Sequence, residues 1–212
     1  MRRARPLSVP LSVAIAACAA LTTAMAVPAS ATPASAARIA GAGREIHTRV
    51  DTGIYFGPGL STPQIGTAWA GDNVAGICQV LDNNGKRLVL SIERPGRNGV
   101  QWANTAGYIW DLDIVEYTGN LPSCDGYGKG VHPRVDTAVY SGPGLSTPQV
   151  GTAWAGDDVA GVCKIDDNNG KRLVLGIERP GRNGVQWANS AGYIWDLDIT
   201  EYTGDLQDCG VS

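Results

Sequence analysis

The most constraining feature of this sequence is a long internal repeat. Residues 46–124 align without a gap on residues 131–209, and 62 of the 79 positions are identical. The segment YFGPGLSTPQIGTAWAGD, which begins at Tyr55, thus returns as YSGPGLSTPQVGTAWAGD from Tyr140. Two long copies indicate two domains, because a solenoid needs three or more short units that stack on one another.

The repeat also sets the expected domain boundaries. Repeat 1 is predicted over residues 45–124 and repeat 2 over residues 131–212. The connecting segment, DGYGKG over residues 125–130, is short and rich in glycine. We therefore expect two close neighbours with some freedom of movement.

Most differences between the copies keep the shape of the side chain, as where valine replaces isoleucine. Two differences do not, because Phe56 becomes Ser141 and Leu81 becomes Asp166. We expect both pairs on exposed edges of the domains.

Residues 1–36 have the pattern of a secretory signal peptide, with a charged start, an apolar run and small residues near the expected cleavage site. Residues 37–44 would then be a flexible start of the mature protein. A membrane-spanning helix is the alternative, which Pro10 and the serine and threonine content disfavour. The tetrapeptide IAAC, ending at Cys18, resembles a lipoprotein signal. The expected location is therefore secreted, and the alternative is a lipid anchor at the outer face of the membrane.

The charge of the chain bears on its partners. Without the three arginines of the signal peptide, 14 basic residues stand against 20 acidic ones. A protein that binds nucleic acid needs a basic face for the phosphates, so nucleic acid is not an expected partner. No membrane contact is expected unless Cys18 is lipidated, and we expect a monomer.

Four of the five cysteines lie in the repeats, two in each copy. Four cysteines allow three pairings, and the pairs Cys78–Cys124 and Cys163–Cys209 respect the repeat. Each bridge would close a loop of about 46 residues and stabilise its domain by ~4 kcal/mol. An exported chain reaches an oxidising space where such bonds persist. A structural zinc site is the alternative, but no CxxC pair exists and each copy has one histidine.

The pattern of apolar residues predicts strands throughout each copy. VAGICQVL indicates a strand, DNNG a turn and KRLVLSIE the next strand. Asn84 and Gly85 predict a type I′ hairpin turn, because both residues tolerate positive φ. RPGRNG, over residues 94–99, predicts a second turn, and VQWAN and GYIWDLDI predict the last strands. Five or six short strands would close into a small barrel, which removes exposed sheet edges.

Two motifs in each copy resemble the bacterial SH3-like (SH3b) domain family. The opening motif runs through Ile54, Gly57, Pro58, Gly59, Ser61, Pro63, Ile65, Gly66, Thr67, Gly71 and Asp72. The closing motif is Trp102 followed by GYIWDLDI, and repeat 2 contains both motifs again. The resemblance implies an all-β protein of two tandem small SH3-like β-barrels after the signal peptide.

The resemblance also implies a function. Domains of this family bind peptidoglycan or other cell-envelope ligands, so we expect a secreted, non-catalytic binding module for a cell-wall glycan or peptide. The alternative is a secreted protein-interaction module that regulates or inhibits an extracellular enzyme. Trp110 and Trp195 stand where eukaryotic SH3 domains carry the proline of their ligand face, so recognition of proline-rich peptides is not expected.

No arrangement of residues in the sequence predicts catalysis, a cofactor or a metal site. The carboxylates Glu93, Asp111, Asp113 and Glu116 are interpreted as solvated charges at strand edges. A glycosidase needs two carboxylates across a cleft, and a barrel of this size has little interior in which to build one.

Aromatic residues give the best prediction of a binding face. Ile109 is expected to be buried, which would turn Tyr108 and Trp110 to the opposite face of their strand. Exposed aromatic rings bind sugar rings or peptide side chains, and loop arginines bind carboxylates. The alternatives are packing at a surface edge and contact between the domains, and core packing is favoured for Trp102 and Trp187. The predicted face comprises Tyr55, Tyr108, Trp110, Arg94 and Arg97 in repeat 1 and Tyr140, Tyr193, Trp195, Arg179 and Arg182 in repeat 2.

Overall fold

The computed structural model describes residues 43–94, 104–179 and 189–210. Some predictions fall outside these residues, and they concern the signal peptide, the second turn, Cys18, Arg97, Arg182, Trp102 and Trp187. Both repeats belong to one compact unit, Arg38–Ser212.

Within the described residues, each repeat forms six strands followed by a single turn of 3₁₀-helix. In repeat 1 these are β1 (Arg44–His47), β2 (Thr52–Tyr55), β3 (Gln64–Ala68), β4 (Asn73–Leu81), β5 (Arg87–Glu93), β6 (Ala106–Trp110) and the 3₁₀ turn Asp111–Asp113. In repeat 2 they are β7 (Lys129–Val131), β8 (Thr137–Tyr140), β9 (Gln149–Ala153), β10 (Val159–Asp166), β11 (Arg172–Glu178), β12 (Ala191–Trp195) and the 3₁₀ turn Asp196–Asp198.

The first strand of each repeat begins earlier than predicted. Arg44 was assigned to a flexible start and Lys129 to the linker, but each opens a strand. The reason is pairing with a long central strand, since Arg44 lies opposite Gly76 and Lys129 opposite Gly161.

The six strands of each repeat form one antiparallel sheet. Its order is β1-β4-β5-β6-β2-β3 in repeat 1 and β7-β10-β11-β12-β8-β9 in repeat 2. The prediction of an all-β fold is confirmed. The described strands do not close into a barrel, because β1 and β3 remain as edges, as do β7 and β9. The predicted strand GYIWDLDI is also shorter than expected, because β6 ends at Trp110 and the chain turns.

One face of each sheet covers a core of its own. In repeat 1 the buried residues are Ile46, Ile54, Ala68, Val74, Val89, Ile109, Ile114 and Leu121. The eight equivalent residues of repeat 2 form the matching core. The predicted burial of Ile109 is confirmed.

The opposite faces of the two sheets pack against each other. Leu88, Leu90 and Ile92 alternate with Val89 along β5, and they join a core that contains their counterparts from repeat 2. Residues Leu88 to Glu93 are all buried as a result. If each repeat were a separate domain, this face would be exposed to solvent as a large apolar patch. The two repeats thus share one interior, so they are close neighbours as predicted, but the shared core does not fit the predicted freedom of movement between them.

Hydrogen bonds cross the boundary between the repeats in matched pairs. The Tyr108 hydroxyl donates to the main-chain carbonyl of Asn189 at 2.6 Å, and the Tyr193 hydroxyl donates to that of Asn104 at 3.0 Å. The main-chain N–H of Ala106 donates to Ser141, and that of Ala191 donates to Phe56. Each repeat therefore makes the same contacts to the other, as in a two-fold symmetric dimer.

Phe56 breaks this symmetry. It is 1% exposed and belongs to the core of repeat 2, although it lies in repeat 1. Its ring lies over Gly151, where an added Cβ would be 2.6 Å from the ring carbon Cζ. Ser141 is also buried. The prediction that Phe56 and Ser141 lie on exposed edges is therefore wrong, because the second face of the sheet is an interface.

Smaller residues in repeat 2 accompany the phenyl ring. Val131, Val139 and Val150 stand where repeat 1 has isoleucine, so this core contains three fewer carbon atoms from those side chains. Protein interiors are closely packed and have few voids, so an additional phenyl ring needs space. The smaller valine side chains provide that space in the core of repeat 2. The expectation that Leu81 and Asp166 are exposed is confirmed.

Both predicted disulfides are present. Cys78 pairs with Cys124 and Cys163 with Cys209, with a Cα–Cα distance of 5.0 Å in each. All four cysteines belong to the shared core. Each bridge therefore ties the end of a repeat to the sheet face that contacts the other repeat.

Candidate functional site

In the described part of each repeat, a cleft lies between the glycine-proline-glycine loop and the first hairpin turn. Cleft 1 has a volume of about 330 Å³ and is lined by Pro58, Gly59, Leu60, Ser61, Thr62, Leu81, Asp82, Asn83, Asn84, Lys86 and Asn189. Cleft 2 has a volume of about 440 Å³ and is lined by Asn104, Pro143, Gly144, Ser146, Thr147, Ile165, Asp166, Asp167, Asn168 and Asn169. Asn189 of repeat 2 contributes to cleft 1, and Asn104 of repeat 1 contributes to cleft 2. We call these two residues the remote asparagines, and each cleft needs both repeats to be complete.

A threonine hydroxyl holds the loop on one side of cleft 1. The Thr62 hydroxyl accepts a hydrogen bond from the Gly57 N–H at 3.2 Å, and it lies 2.7 Å from the Gly59 carbonyl. Thr147 makes the equivalent contacts in repeat 2. The loop therefore has a defined shape before any ligand arrives.

The hairpin turn on the other side is held by an aspartate. One carboxylate oxygen of Asp82 accepts hydrogen bonds from the N–H groups of Asn84 and Lys86, at 2.8 and 2.7 Å. The Lys86 N–H has the largest effect and lowers the pKa of Asp82. Gly85 has a φ of +73°, whereas Asn84 is not at positive φ. The turn is thus a three-residue loop closed by a left-handed glycine, not the predicted type I′ turn.

The two remote asparagines have left-handed backbones. Asn104 has a φ of 66° and Asn189 a φ of 63°. Their carbonyls are the acceptors for Tyr193 and Tyr108, so the interface fixes their position. In cleft 2 the side-chain oxygen of Asn104 is buried and has no hydrogen-bond partner.

The structure pairs Tyr55 with Tyr108 and Tyr140 with Tyr193 on neighbouring strands, but these rings do not form an exposed face. Tyr108 and Tyr193 are fully buried, and burial raises their pKa, so neither can stack on a ligand. Tyr55 and Tyr140 are half-buried and pack against the shared core. A binding face on these residues requires a solvated second face of the sheet, but the other repeat covers that face.

Trp110 and Trp195 are half-buried, and each has a lysine over its ring. The Lys86 Nζ atom lies 5.1 Å from the centre of the Trp110 ring, and Lys171 Nζ lies 5.3 Å from that of Trp195. These are cation–π distances. Because Lys86 also lines cleft 1, Trp110 supports the cleft wall through this lysine.

Arg94 lies far from Trp110 in the same repeat. Trp110 pairs with Leu88 at one end of β5, and Arg94 follows the other end, about 20 Å away along the strand. Arg179 is held by Asp158, with Nη1 3.1 Å from the carboxylate. Repeat 1 has asparagine at the position of Asp158, so Arg94 lacks this ion pair.

Sequence reasoning missed the most exposed aromatic rings among the described residues. Tyr117 is 72% exposed and Tyr202 is 75% exposed. Each ring lies over a glycine two residues later, Gly119 or Gly204, where a Cβ would clash with it. The repeated tripeptide Tyr-Thr-Gly was the available signal.

Two glutamates are buried rather than solvated as predicted. Glu93 is 1% exposed and Glu178 is 3% exposed, and their carboxyl oxygens have no N–H or O–H partner. Burial, and then the neighbouring Asp72 carboxylate, raises the pKa of Glu93 to about 8. Burial, and then the Asp157 carboxylate, raises the pKa of Glu178 to about 8. Glu93 and Asp72 are both buried, so solvent does not reach this pair of carboxyl groups, and we assign it a structural role.

The other carboxylates considered for catalysis hold local structure. Asp113 accepts a hydrogen bond from the Thr52 hydroxyl at 2.6 Å, and Asp111 accepts one from the Thr118 hydroxyl. Glu116 accepts one from the His47 N–H at 2.7 Å. In the described part of the chain, no group of three or more His, Cys, Asp or Glu side chains could hold a metal ion.

No protein-family model matches this chain, and no curated protein matches it significantly. Within the described ranges, no helix has the length and apolar character needed to cross a membrane.

Proposed function

We propose that this protein is a secreted, non-catalytic binding protein of two SH3-like domains, and that it recognises peptidoglycan or another cell-envelope ligand in clefts 1 and 2. The observation that carries the proposal is the pair of equivalent clefts, each walled by residues of both repeats. The SH3b motifs of the sequence support the family, and the two disulfides suit an oxidising space.

The lining of the clefts suits glycan or peptide groups. Hydroxyls, side-chain amides and main-chain groups dominate both walls. Their volumes fall in the usual range for ligand sites, about 300–1,000 Å³. The loop and the turn are held by their own hydrogen bonds, so ordering them costs little when a ligand binds.

Two clefts in one unit favour a polymeric ligand. The shared core holds both repeats together, so the second binding event does not depend on a flexible linker. A polymer that reaches both clefts would gain avidity from this arrangement.

The experiment is sedimentation of the full mature chain with purified peptidoglycan. In the double variant Asn104→Gly, Asn189→Gly, glycine keeps the left-handed backbone and the carbonyls that accept from the tyrosines, but removes one side chain from each cleft. We expect binding about tenfold or more weaker than that of the parent protein, as for loss of a buried polar contact. The matched control is Tyr117→Ala, Tyr202→Ala, which removes the exposed rings outside the clefts and should bind normally.

Three results would contradict the proposal. If the protein does not sediment with peptidoglycan at low salt, the proposed binding to the cell wall is wrong. Loss of binding in the tyrosine variant with normal binding in the asparagine variant would move the site to Tyr117 and Tyr202. A stoichiometric protein partner that persists after wall material is removed would favour the regulator of an extracellular enzyme.

A further inference from the structure

Each remote asparagine is attached to the main chain of a buried glutamate. Glu93 ends β5, and the Asn104 N–H donates to its carbonyl at 2.8 Å. The Glu93 N–H donates in turn to the Thr105 carbonyl at 2.9 Å. In repeat 2, the Asn189 N–H donates to the Glu178 carbonyl at 2.7 Å. The position of each remote asparagine therefore depends on the position of a glutamate.

These bonds connect each glutamate to the cleft of the opposite repeat. Asn104 belongs to repeat 1 but lines cleft 2, whereas Asn189 belongs to repeat 2 but lines cleft 1. The Asn104 carbonyl also accepts a hydrogen bond from the Tyr193 hydroxyl at 3.0 Å. Asn104 is thus held between Glu93 and Tyr193, so a shift of Glu93 would change cleft 2 and not cleft 1.

The Glu93 side chain fits its surroundings only when it carries its proton. Glu93 is 1% exposed, and the carboxylate of Asp72, which acts on it, is 3% exposed. Among the described residues, no N–H or O–H group donates to the carboxyl oxygens of Glu93. Asp72 is held in place, because one of its oxygens accepts a hydrogen bond from the Trp69 N–H at 2.9 Å. An unpaired buried charge beside a second carboxylate is costly, so ionisation favours displacement of this end of β5.

The strands on both sides of β5 do not supply a compensating charge. β4 and β6 consist of neutral residues. Arg94 follows Glu93 in the chain, but burial and then Asp72 determine the shift of the Glu93 pKa. Beyond β4, the titratable side chains of β1 are Arg44, Glu45 and His47. The balance of charges around Glu93 therefore favours its neutral form.

Glu178 has equivalent surroundings in repeat 2. It is 3% exposed, and the buried carboxylate that acts on it is Asp157. Arg179, which follows it in the chain, is paired with Asp158 at 3.1 Å. β12 is neutral. The charged residues of β7 and β10 lie farther along these strands, and they are Lys129, Lys164 and Asp166.

We propose that Glu93 and Glu178 are positioning residues of the clefts. In its protonated form each holds the remote asparagine that walls the cleft of the opposite repeat, and loss of the proton releases that asparagine. The inference deepens the proposed function and rests on it, because the ligand is taken to occupy the clefts. It adds a regulation of the same site, in which alkaline pH weakens binding.

The direction of this effect follows from the shifted pKa. The pKa of Glu93 is raised from 4.5 to about 8, so the folded chain keeps the proton at neutral pH and loses it as the pH passes 8. At about pH 9, roughly one chain in ten keeps the proton. Apparent affinity falls with the fraction of binding-competent molecules, so we expect binding about tenfold weaker than at neutral pH.

An NMR pH titration of the ¹⁵N-labelled full mature chain, without ligand, tests the positioning role. The amide signals of Asn104 and Asn189 should each change as the pH passes 8. Glu93→Gln, whose amide mimics the protonated carboxyl, should remove the change at Asn104 and leave the change at Asn189. Glu178→Gln should do the reverse, and Glu45→Gln, an exposed carboxylate, should leave both. This selectivity separates a positioning role from general destabilisation, which would move both signals together.

A second variant tests the same point while Glu93 remains in place. Asp72→Asn keeps an acceptor for the Trp69 N–H but removes the carboxylate that helps to raise the pKa of Glu93. The change at Asn104 should therefore move to lower pH, and the change at Asn189 should stay where it is. An unmoved change at Asn104 would overturn the role of this carboxyl pair.

Sedimentation with purified peptidoglycan at about pH 7 and about pH 9 tests the effect on binding. The parent protein should bind about tenfold more weakly at the higher pH. The double variant Glu93→Gln, Glu178→Gln should bind equally at both, which separates these carboxyls from titration of the wall itself. Glu45→Gln should follow the parent protein.

The outcomes separate this inference from the proposed function. If the parent protein sediments equally at both pH values, the inference is wrong and the proposed function stands. If the double variant loses binding at high pH as the parent does, the inference is also wrong. If the amide signals behave as expected but nothing sediments, the wall ligand is wrong and the positioning role stands. Signals of Asn104 that ignore Glu93→Gln would overturn the positioning role directly.

Discussion

The Tyr108 hydroxyl of repeat 1 donates a hydrogen bond of 2.6 Å to the main-chain carbonyl of Asn189 in repeat 2. Tyr108 is fully buried. The same bond joins Tyr193 to Asn104 in the opposite direction. These two bonds link the shared core to the two clefts, because each acceptor residue is also a wall of a cleft.

Removing one of these hydroxyls should destabilise the whole chain. Tyr108→Phe keeps the ring but leaves the Asn189 carbonyl without its donor, which costs about 1–3 kcal/mol. Guanidinium unfolding would measure the loss. Tyr117→Phe is the control, because its ring is exposed, and it should stay within about 0.5 kcal/mol of the parent protein. Equal stability of the two variants would show that the Tyr108 bond contributes nothing.

Phe56 should stabilise repeat 2 more than repeat 1. Phe56→Ser removes a buried ring from the core of repeat 2 and should cost about 3–5 kcal/mol. Adding Val139→Ile and Val150→Ile should recover part of this loss, because the extra carbons fill the cavity. The same two isoleucines in the parent protein should instead destabilise it by about 1–3 kcal/mol through overpacking. Additive effects of the three substitutions would contradict this account.

Stability should fall as the pH rises through the neutral range. Burial and Asp72 raise the pKa of Glu93 to about 8, whereas its ordinary value is 4.5. Between these values the folded chain holds a proton that the unfolded chain has released, so the free energy of unfolding decreases with pH. The contribution of Glu93 is complete below pH 4.5 and is lost as the pH passes 8. Glu178 behaves in the same way.

Unfolding midpoints measured across this range would test the titration of Glu93. The variant Glu93→Gln, Glu178→Gln mimics the protonated carboxyls and should flatten the pH dependence. Glu45→Gln changes an exposed carboxylate and should keep the slope of the parent protein. Parallel curves for all three proteins would rule out Glu93 and Glu178 as the source.

A single repeat should not fold on its own. Residues 43–127 alone would expose the face formed by Leu88, Leu90 and Ile92, so we expect binding of a hydrophobic dye and poorly dispersed NMR signals. An equimolar mixture with residues 128–212 should restore dispersed signals, because the two faces are complementary. A folded, monomeric single repeat would show that the shared core is dispensable.

Much of the fold was predictable, because the repeat, the disulfide pairs and the strand patterns depend on local sequence. Contact between the repeats is only one of the alternatives that the aromatic residues suggest, although the strand pattern contains a clearer signal of it. KRLVLSIE lacks the polar–apolar alternation of a half-solvated strand, and a continuous apolar run is typical of a sheet buried on both faces. A solvated second face predicts Tyr108 on a binding face and Phe56 at an edge, whereas both side chains are buried.

The clefts were less accessible to sequence reasoning. The loop at Pro58 and the turn at Asn84 were recognised separately, but no local pattern shows that they face each other. The contribution of Asn189 depends on contacts more than one hundred positions away along the chain. Such a site follows only from the packing of the two repeats.

The ring of Phe56 also determines which copies can pair. Identical repeats on neighbouring molecules could exchange partners and link chains into open-ended assemblies. Here Phe56 of repeat 1 packs in the core of repeat 2, whereas the equivalent residue of repeat 2, Ser141, has no ring. Two copies of repeat 1 would compete for too little space, and two copies of repeat 2 would leave both cores underfilled. The ring therefore favours pairing of repeat 1 with repeat 2, which is the pairing seen within this chain.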